Sequence, residues 1–216
     1  MNLAKARELQ IRLSEQVVSS GDPNPEEIGY VAGVDSSISR DKKNMIGSVA
    51  LFAMPNIELI CTKNCITPVV FPYIPGYLSF RELPVMLEVM ELLPYKPDLI
   101  IVDGHGTAHP RRFGIASHLG VVTGYTTIGC AKKKLTGTCD PPGREKGSTA
   151  ECLDDGDRIG TVVRTRENVS PVWVSTGHRI SQSASVKWIL RTTTKYRLPE
   201  PIRAAHQAAT MYRKQV

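Results

Sequence analysis

Apolar positions change period several times along the chain, and each change marks an element. Leu9, Leu13 and Val17 recur at helical spacing between charged residues, which predicts an amphipathic helix over residues 2–18. Residues 21–27, with two prolines, form a loop. Apolar runs at 30–38 and 45–54 and an alternating run at 57–66 follow, with Pro55-Asn56 as a tight turn. Three strands so closely joined imply an antiparallel meander. Phe80, Leu83, Leu87, Met90 and Leu93 then restore helical spacing over 77–93, with Pro84 tolerated as a position near the helix start. Residues 99–102 are four apolar residues in a row, the pattern of a strand covered on both faces.

Weaker signals complete the order. A short helix is predicted over 113–119, and a strand over 125–129. Residues 138–157 are rich in Gly, Pro and charge and read as an irregular surface segment. Strands over 159–165 and 171–175, a helix over 181–193 and a last helix over 202–211 close the chain. A strand meander followed by alternating helix and strand gives an α/β fold with a mixed β-sheet flanked by helices. Residues 1–216 show no internal repeat or composition shift, so one domain is expected.

Composition narrows the function classes. Of the 216 residues, 41% are hydrophobic and 22% charged, an ordinary globular balance. No apolar run approaches the ~18 residues of a membrane span. The charged start Met1-Asn-Leu-Ala-Lys-Ala-Arg-Glu lacks the apolar centre of a signal peptide, so a cytoplasmic, membrane-free protein is expected. The formal charge of +6 favours a polyanionic partner. Cysteines 61, 65, 130, 139 and 152 are odd in number and are expected as reduced thiols, with Cys61 and Cys65 as strand residues rather than metal ligands.

The chemistry gathers at strand ends. Asp103 ends the 99–102 strand, the glycines at 104 and 106 let the backbone turn and a ligand come close, and His109, Arg111 and Arg112 add a basic loop. Asp35 lies within a core strand, where a carboxylate needs a partner or a cation. Glu82 falls in the first turns of a helix. Carboxylates from such separated elements can converge on a hard divalent cation. Tyr73, braced by Pro72 and Pro75, reads as a stacking wedge or as a loop residue covering the core. Lys132, Lys133 and Lys134 read as a solvated patch, with one of them available to phosphate.

In these motifs the chain resembles the endonuclease V family. The matching stretches are Gly33-Val-Asp35, Phe71-Pro-Tyr-Ile-Pro-Gly76, Phe80-Arg-Glu82, Asp103-Gly-His-Gly106, His109-Pro-Arg-Arg112, Ile128-Gly-Cys-Ala-Lys132, Gly177-His-Arg179 and Leu198-Pro-Glu-Pro-Ile-Arg203, in family order. The resemblance implies a ribonuclease-H-like fold and a Mg²⁺-dependent nuclease, with Mn²⁺ able to substitute. It implies action on DNA at deaminated bases, chiefly deoxyinosine. The second phosphodiester bond on the 3′ side would be cut, leaving a 3′-hydroxyl and a 5′-phosphate in DNA repair.

By the same resemblance Asp35, Glu82, Asp103 and His206 are the active-site set, with the three acids as metal ligands. Lys132 is the active-site lysine and Tyr73 the wedge. Gly76, Leu78, Gly104, Gly106, Ile115, Gly129 and Leu135 form the base pocket. His109, Arg111 and Arg112 join the substrate-binding set, and a monomer is expected. Two other readings remain open: an inosine-directed ribonuclease on the same fold, and a nucleic-acid-binding module without catalysis. A mere binder gains nothing from clustering acids near phosphates, whereas DNA against RNA turns on how the site treats a 2′-hydroxyl.

Overall fold

The computed structural model describes residues 2–216. In chain order its elements are α1 (Leu3–Ser14), β1 (Tyr30–Ile38), β2 (Asn44–Ala53), β3 (Glu58–Pro68), α2 (Leu78–Met90), β4 (Leu99–Val102), α3 (Ile115–Thr123), β5 (Thr127–Ala131), β6 (Thr138–Cys139), β7 (Thr149–Asp154), β8 (Asp157–Val163), β9 (Val172–His178), α4 (Gln182–Arg191) and α5 (Glu200–Tyr212). The nine strands form one sheet in the order β3-β2-β1-β4-β5-β9-β8-β7-β6. β1, β4 and β5 run parallel, and the remaining pairs are antiparallel. This is the mixed, ribonuclease-H-like sheet flanked by helices that the sequence led one to expect. Among the described residues, no helix is long and apolar enough to cross a membrane.

Strand alternation divides the core in two. Val31, Leu99, Ile101 and Ile128 face Trp188 of α4 and Ile202 of α5. Ala32, Val34, Ile100 and Val102 face Met86 of α2 and Leu119 of α3. β4 is therefore apolar and buried at all four positions, because both faces are covered. Local chemistry sets the helix ends: Asn2 accepts the Lys5 N–H at 2.9 Å to start α1, Ser181 caps α4, and Gly124 ends α3 in the left-handed region at φ 75°.

Three expectations are corrected. Residues 138–157 are not irregular throughout: β6 and β7 occupy their ends and extend the far edge of the sheet. Of β7's six residues only Cys152 is buried, so no apolar stripe announced the strand. Cys139 and Cys152 are not both free thiols: they sit opposite each other on β6 and β7, with Cα atoms 4.3 Å apart, and form a disulfide. Cys61, Cys65 and Cys130 are free. Pro84 lies well inside α2 rather than near its start.

Candidate active site

Parallel pairing of β1 with β4 sets the geometry. Val34 lies beside Val102, and Asp103 N–H donates to the Val34 carbonyl at 3.0 Å. One residue further, the same register brings Asp35 beside Asp103. Alternation past Val34 and Val102, which face α2 and α3, turns both carboxylates to the α5 side. There His206 Nδ1 lies 2.8 Å from Asp35 Oδ2, and Lys132, just past β5, donates to Asp103 Oδ2 at 2.5 Å. Ser36 N–H donates to Asp35 Oδ1 at 2.8 Å.

Asp35, Asp103 and His206 each offer a ligand atom, and the three atoms lie within 4.8 Å of one another. Burial and the neighbouring Asp103 charge raise the Asp35 pKa against the pull of His206 and Lys132. Two carboxylates held this close suit a hard cation such as Mg²⁺ or Mn²⁺, which takes oxygen ligands. Glu82 stands outside this trio. It comes from α2, on the opposite face, where burial and the charges of Asp35 and Asp103 push its pKa up to about 7. The Ser36 hydroxyl lies on that side without an aligned hydrogen-bond partner.

Beside the acids opens a cavity of about 150 Å³. Tyr73, Gly76, Leu78, Gly104, His109, Ile115 and Leu135 line it, together with Gln10, Ser79, His105 and Phe113, which sequence reasoning missed. Tyr73 is 64% exposed at its rim. Gly76, at φ 78°, turns its carbonyl inward to receive three donors: Gln10 Nε2 at 3.0 Å, His109 Nε2 at 3.1 Å and Arg111 Nη2 at 2.5 Å. His109 Nδ1 accepts the Arg111 N–H, which fixes the ring as the Nε2–H tautomer. Burial, reinforced by Arg111, lowers its pKa to about 4. Gln10 also accepts from Arg111 Nε at 2.6 Å. Gln10 is a fully buried amide beside Ala6 on α1, a position that the apolar pattern of the helix did not mark.

Several expected contacts take another form. Gly106 and Gly129 do not line the cavity. They lie behind it, where a Cβ on Gly106 would strike the Thr176 carbonyl and one on Gly129 the Gly106 nitrogen. Arg111 stacks over Tyr77 at 4.4 Å and holds Gly76, and Arg112 donates to Asp154 Oδ2 at 2.6 Å and to its carbonyl. Both guanidinium groups are thus engaged within the protein. Of the three consecutive lysines, only Lys132 reaches an acid; Lys133 and Lys134 are exposed.

The family model for Endonuclease V matches residues 11–207. The chain is 48% identical over 198 residues to Endonuclease V of Dictyoglomus thermophilum, covering 92% of this chain and 85% of that one. Among solved structures, Endonuclease V of Streptomyces avermitilis superposes with a TM-score of 0.94 at 38% identity, covering 99% of this chain and 94% of that one. Endonuclease V of Ciona intestinalis, solved with a 24mer DNA containing an inosine followed by a ribo-adenosine, gives a TM-score of 0.85 at 26% identity. That match covers 99% of this chain and 98% of the other.

Proposed function

This chain belongs to the endonuclease V family, and from that premise we propose that it cuts DNA at deaminated bases, chiefly deoxyinosine. The bond cut is the second phosphodiester on the 3′ side, leaving a 3′-hydroxyl and a 5′-phosphate. One observation carries the reading: Asp103 belongs to the acid cluster, and the next residue, Gly104, lines the cavity. Base recognition and phosphate chemistry are therefore adjacent, as an enzyme needs if it holds one nucleotide and cuts close by.

Mg²⁺, with Mn²⁺ able to replace it, would be held by Asp35 and Asp103, with Glu82 and His206 at its margin. When bound, such a cation stabilises charge on the attacking and leaving oxygens of a phosphodiester. The protein's own groups do the rest. Lys132 fixes the Asp103 carboxylate. Asp35 holds His206 by Nδ1, which leaves Nε2 to orient a water or receive its proton. Tyr73 fills the gap left by the extruded base, since extrusion costs a few kcal/mol in a duplex. The glycine backbone at residue 104 meets the base edge without an intervening Cβ. The Ciona complex supports a nucleic-acid partner.

The test is direct. Matched DNA and RNA strands, each with one inosine, are incubated with the protein and Mg²⁺ or Mn²⁺. Cutting of the inosine DNA is expected, with undamaged DNA untouched. Cutting of the RNA strand alone would overturn the DNA assignment. Asp103→Asn should abolish cutting while inosine DNA still binds, and full activity in that variant would reject the site.

A further inference from the structure

Lys195-Tyr196-Arg197 forms a loop that the site described so far does not use, yet it is fastened to the site at both ends. Arg197 Nη2 donates to the Lys132 carbonyl at 2.8 Å and to the Pro171 carbonyl at 2.7 Å. Thr165 Oγ1 donates to the Arg197 carbonyl at 2.6 Å. The loop thus sits at the same end of the sheet as Lys132. On the other side, the Arg203 guanidinium lies over the Tyr196 ring at 4.6 Å. Arg203 is one turn before His206 on α5, and Glu200 and Gln207 hold it in place.

The ring itself remains open. Tyr196 is 44% exposed, and Lys195 Nζ stands 5.9 Å from its centroid. An aromatic ring held by an anchored cation, with the exposed amine of Lys195 over it, combines the groups that bind single-stranded nucleic acid. Bases stack on the ring and the amine meets the phosphate. Because Arg203 is already anchored, little ordering of the protein is needed on binding.

The fold gives this platform its place. The cavity lies on the α2/α3 side of the sheet, lined by Leu78 and Ile115. Tyr196 lies on the α5 side, and the carboxyl ends of β1 and β4, with Asp35 and Asp103, stand between them. A strand whose altered base fills the cavity and whose phosphate lies at the acids must continue onto the α5 side. We propose that Tyr196 is a stacking platform for a nucleobase on the 3′ side of the cut, with Lys195 on the adjoining phosphate. This rests on the nuclease reading above and adds a binding position to it.

The experiment uses inosine DNA strands that carry, at each of the first three positions 3′ of the cut, either a normal base or an abasic spacer. With the wild-type protein, one spacer position should raise KM roughly 5- to 150-fold, the range for one stacked base, with kcat unchanged. Tyr196→Ala and Tyr196→Leu should show that raised KM with every strand and no further loss from the spacer, and Tyr196→Phe should behave as wild type. Leucine keeps apolar bulk in the loop, so a folding defect confined to the alanine variant leaves the comparison intact. Spacer losses of equal size in wild type and Tyr196→Leu would overturn the platform. So would equal loss in Tyr196→Phe and Tyr196→Leu. If the wild-type protein cuts no inosine strand at all, the nuclease reading fails instead, and the two failures are told apart.

Discussion

Lys132, Lys133 and Lys134 carry the same charge in three different settings. Lys132 is spent on Asp103, whereas its neighbours stand in solvent. Lys132→Ala should therefore lower turnover by ~10²-fold, the scale of losing one aimed charge-stabilising group, and leave the salt dependence of DNA affinity unchanged. Lys133→Ala and Lys134→Ala should each reduce the salt slope by about 1 with turnover kept. Affinity measured at several salt concentrations separates the cases. A flattened slope in Lys132→Ala would show that its amine reaches phosphate. Tyr73 makes a second residue-level case. Its alanine variant should lose ~1–3 kcal/mol of affinity for inosine duplex, and less for an inosine single strand, where no gap needs filling. Equal losses on both would make Tyr73 a scaffold residue.

At the scale of elements, α1 joins the cavity through one side chain. Gln10→Leu leaves the Gly76 carbonyl one donor short and Arg111 Nε without its acceptor, in a buried setting. It should cost about 1–3 kcal/mol of stability and raise KM for inosine strands with little change in kcat. An unaltered KM would detach α1 from recognition. α3 contributes to the pH dependence, alongside His109 in its loop. Burial lowers the His118 pKa to about 4, against 6.5 unfolded, and its Nδ1 lies 3.0 Å from Ser79 Oγ. Below pH 6.5 the unfolded chain binds the extra proton. The stability this group contributes is therefore complete above pH 6.5 and lost as pH falls toward 4, by on the order of 3 kcal/mol. His118→Phe should flatten that decline in urea unfolding between pH 7 and 4.5, and an unchanged slope would show that His118 does not carry it. The elements themselves were largely legible. The apolar run at 99–102 and the meander are where periodicity put them, because covered strands leave dense apolar signals. β6 and β7 were not, because a partly exposed edge leaves almost none. Asp35 and Asp103 were legible as misplaced acids. The approach of Glu82 to the two acids from α2, on the other face of the sheet, was not, because it depends on which way α2 docks.

For the whole molecule, the decisive contact is long. The His206–Asp35 bond joins residues 171 positions apart and rests on α5 lying against β1, where a Cβ on Gly33 would already strike Pro201. The proposed catalytic set is thus held together by global packing rather than by a local loop, and helix, sheet and activity should be lost together. Circular dichroism and cutting, followed through one urea titration, should give a single midpoint. Cutting that vanishes before the sheet melts would show that α5 detaches by itself. The same spacing bears on the cell that makes the protein. A ribosome releases Asp35 and Asp103 long before it releases His206, so a half-made chain carries acids but no finished scissors. On the nuclease reading proposed above, the activity is armed by completing the fold and disarmed by losing it.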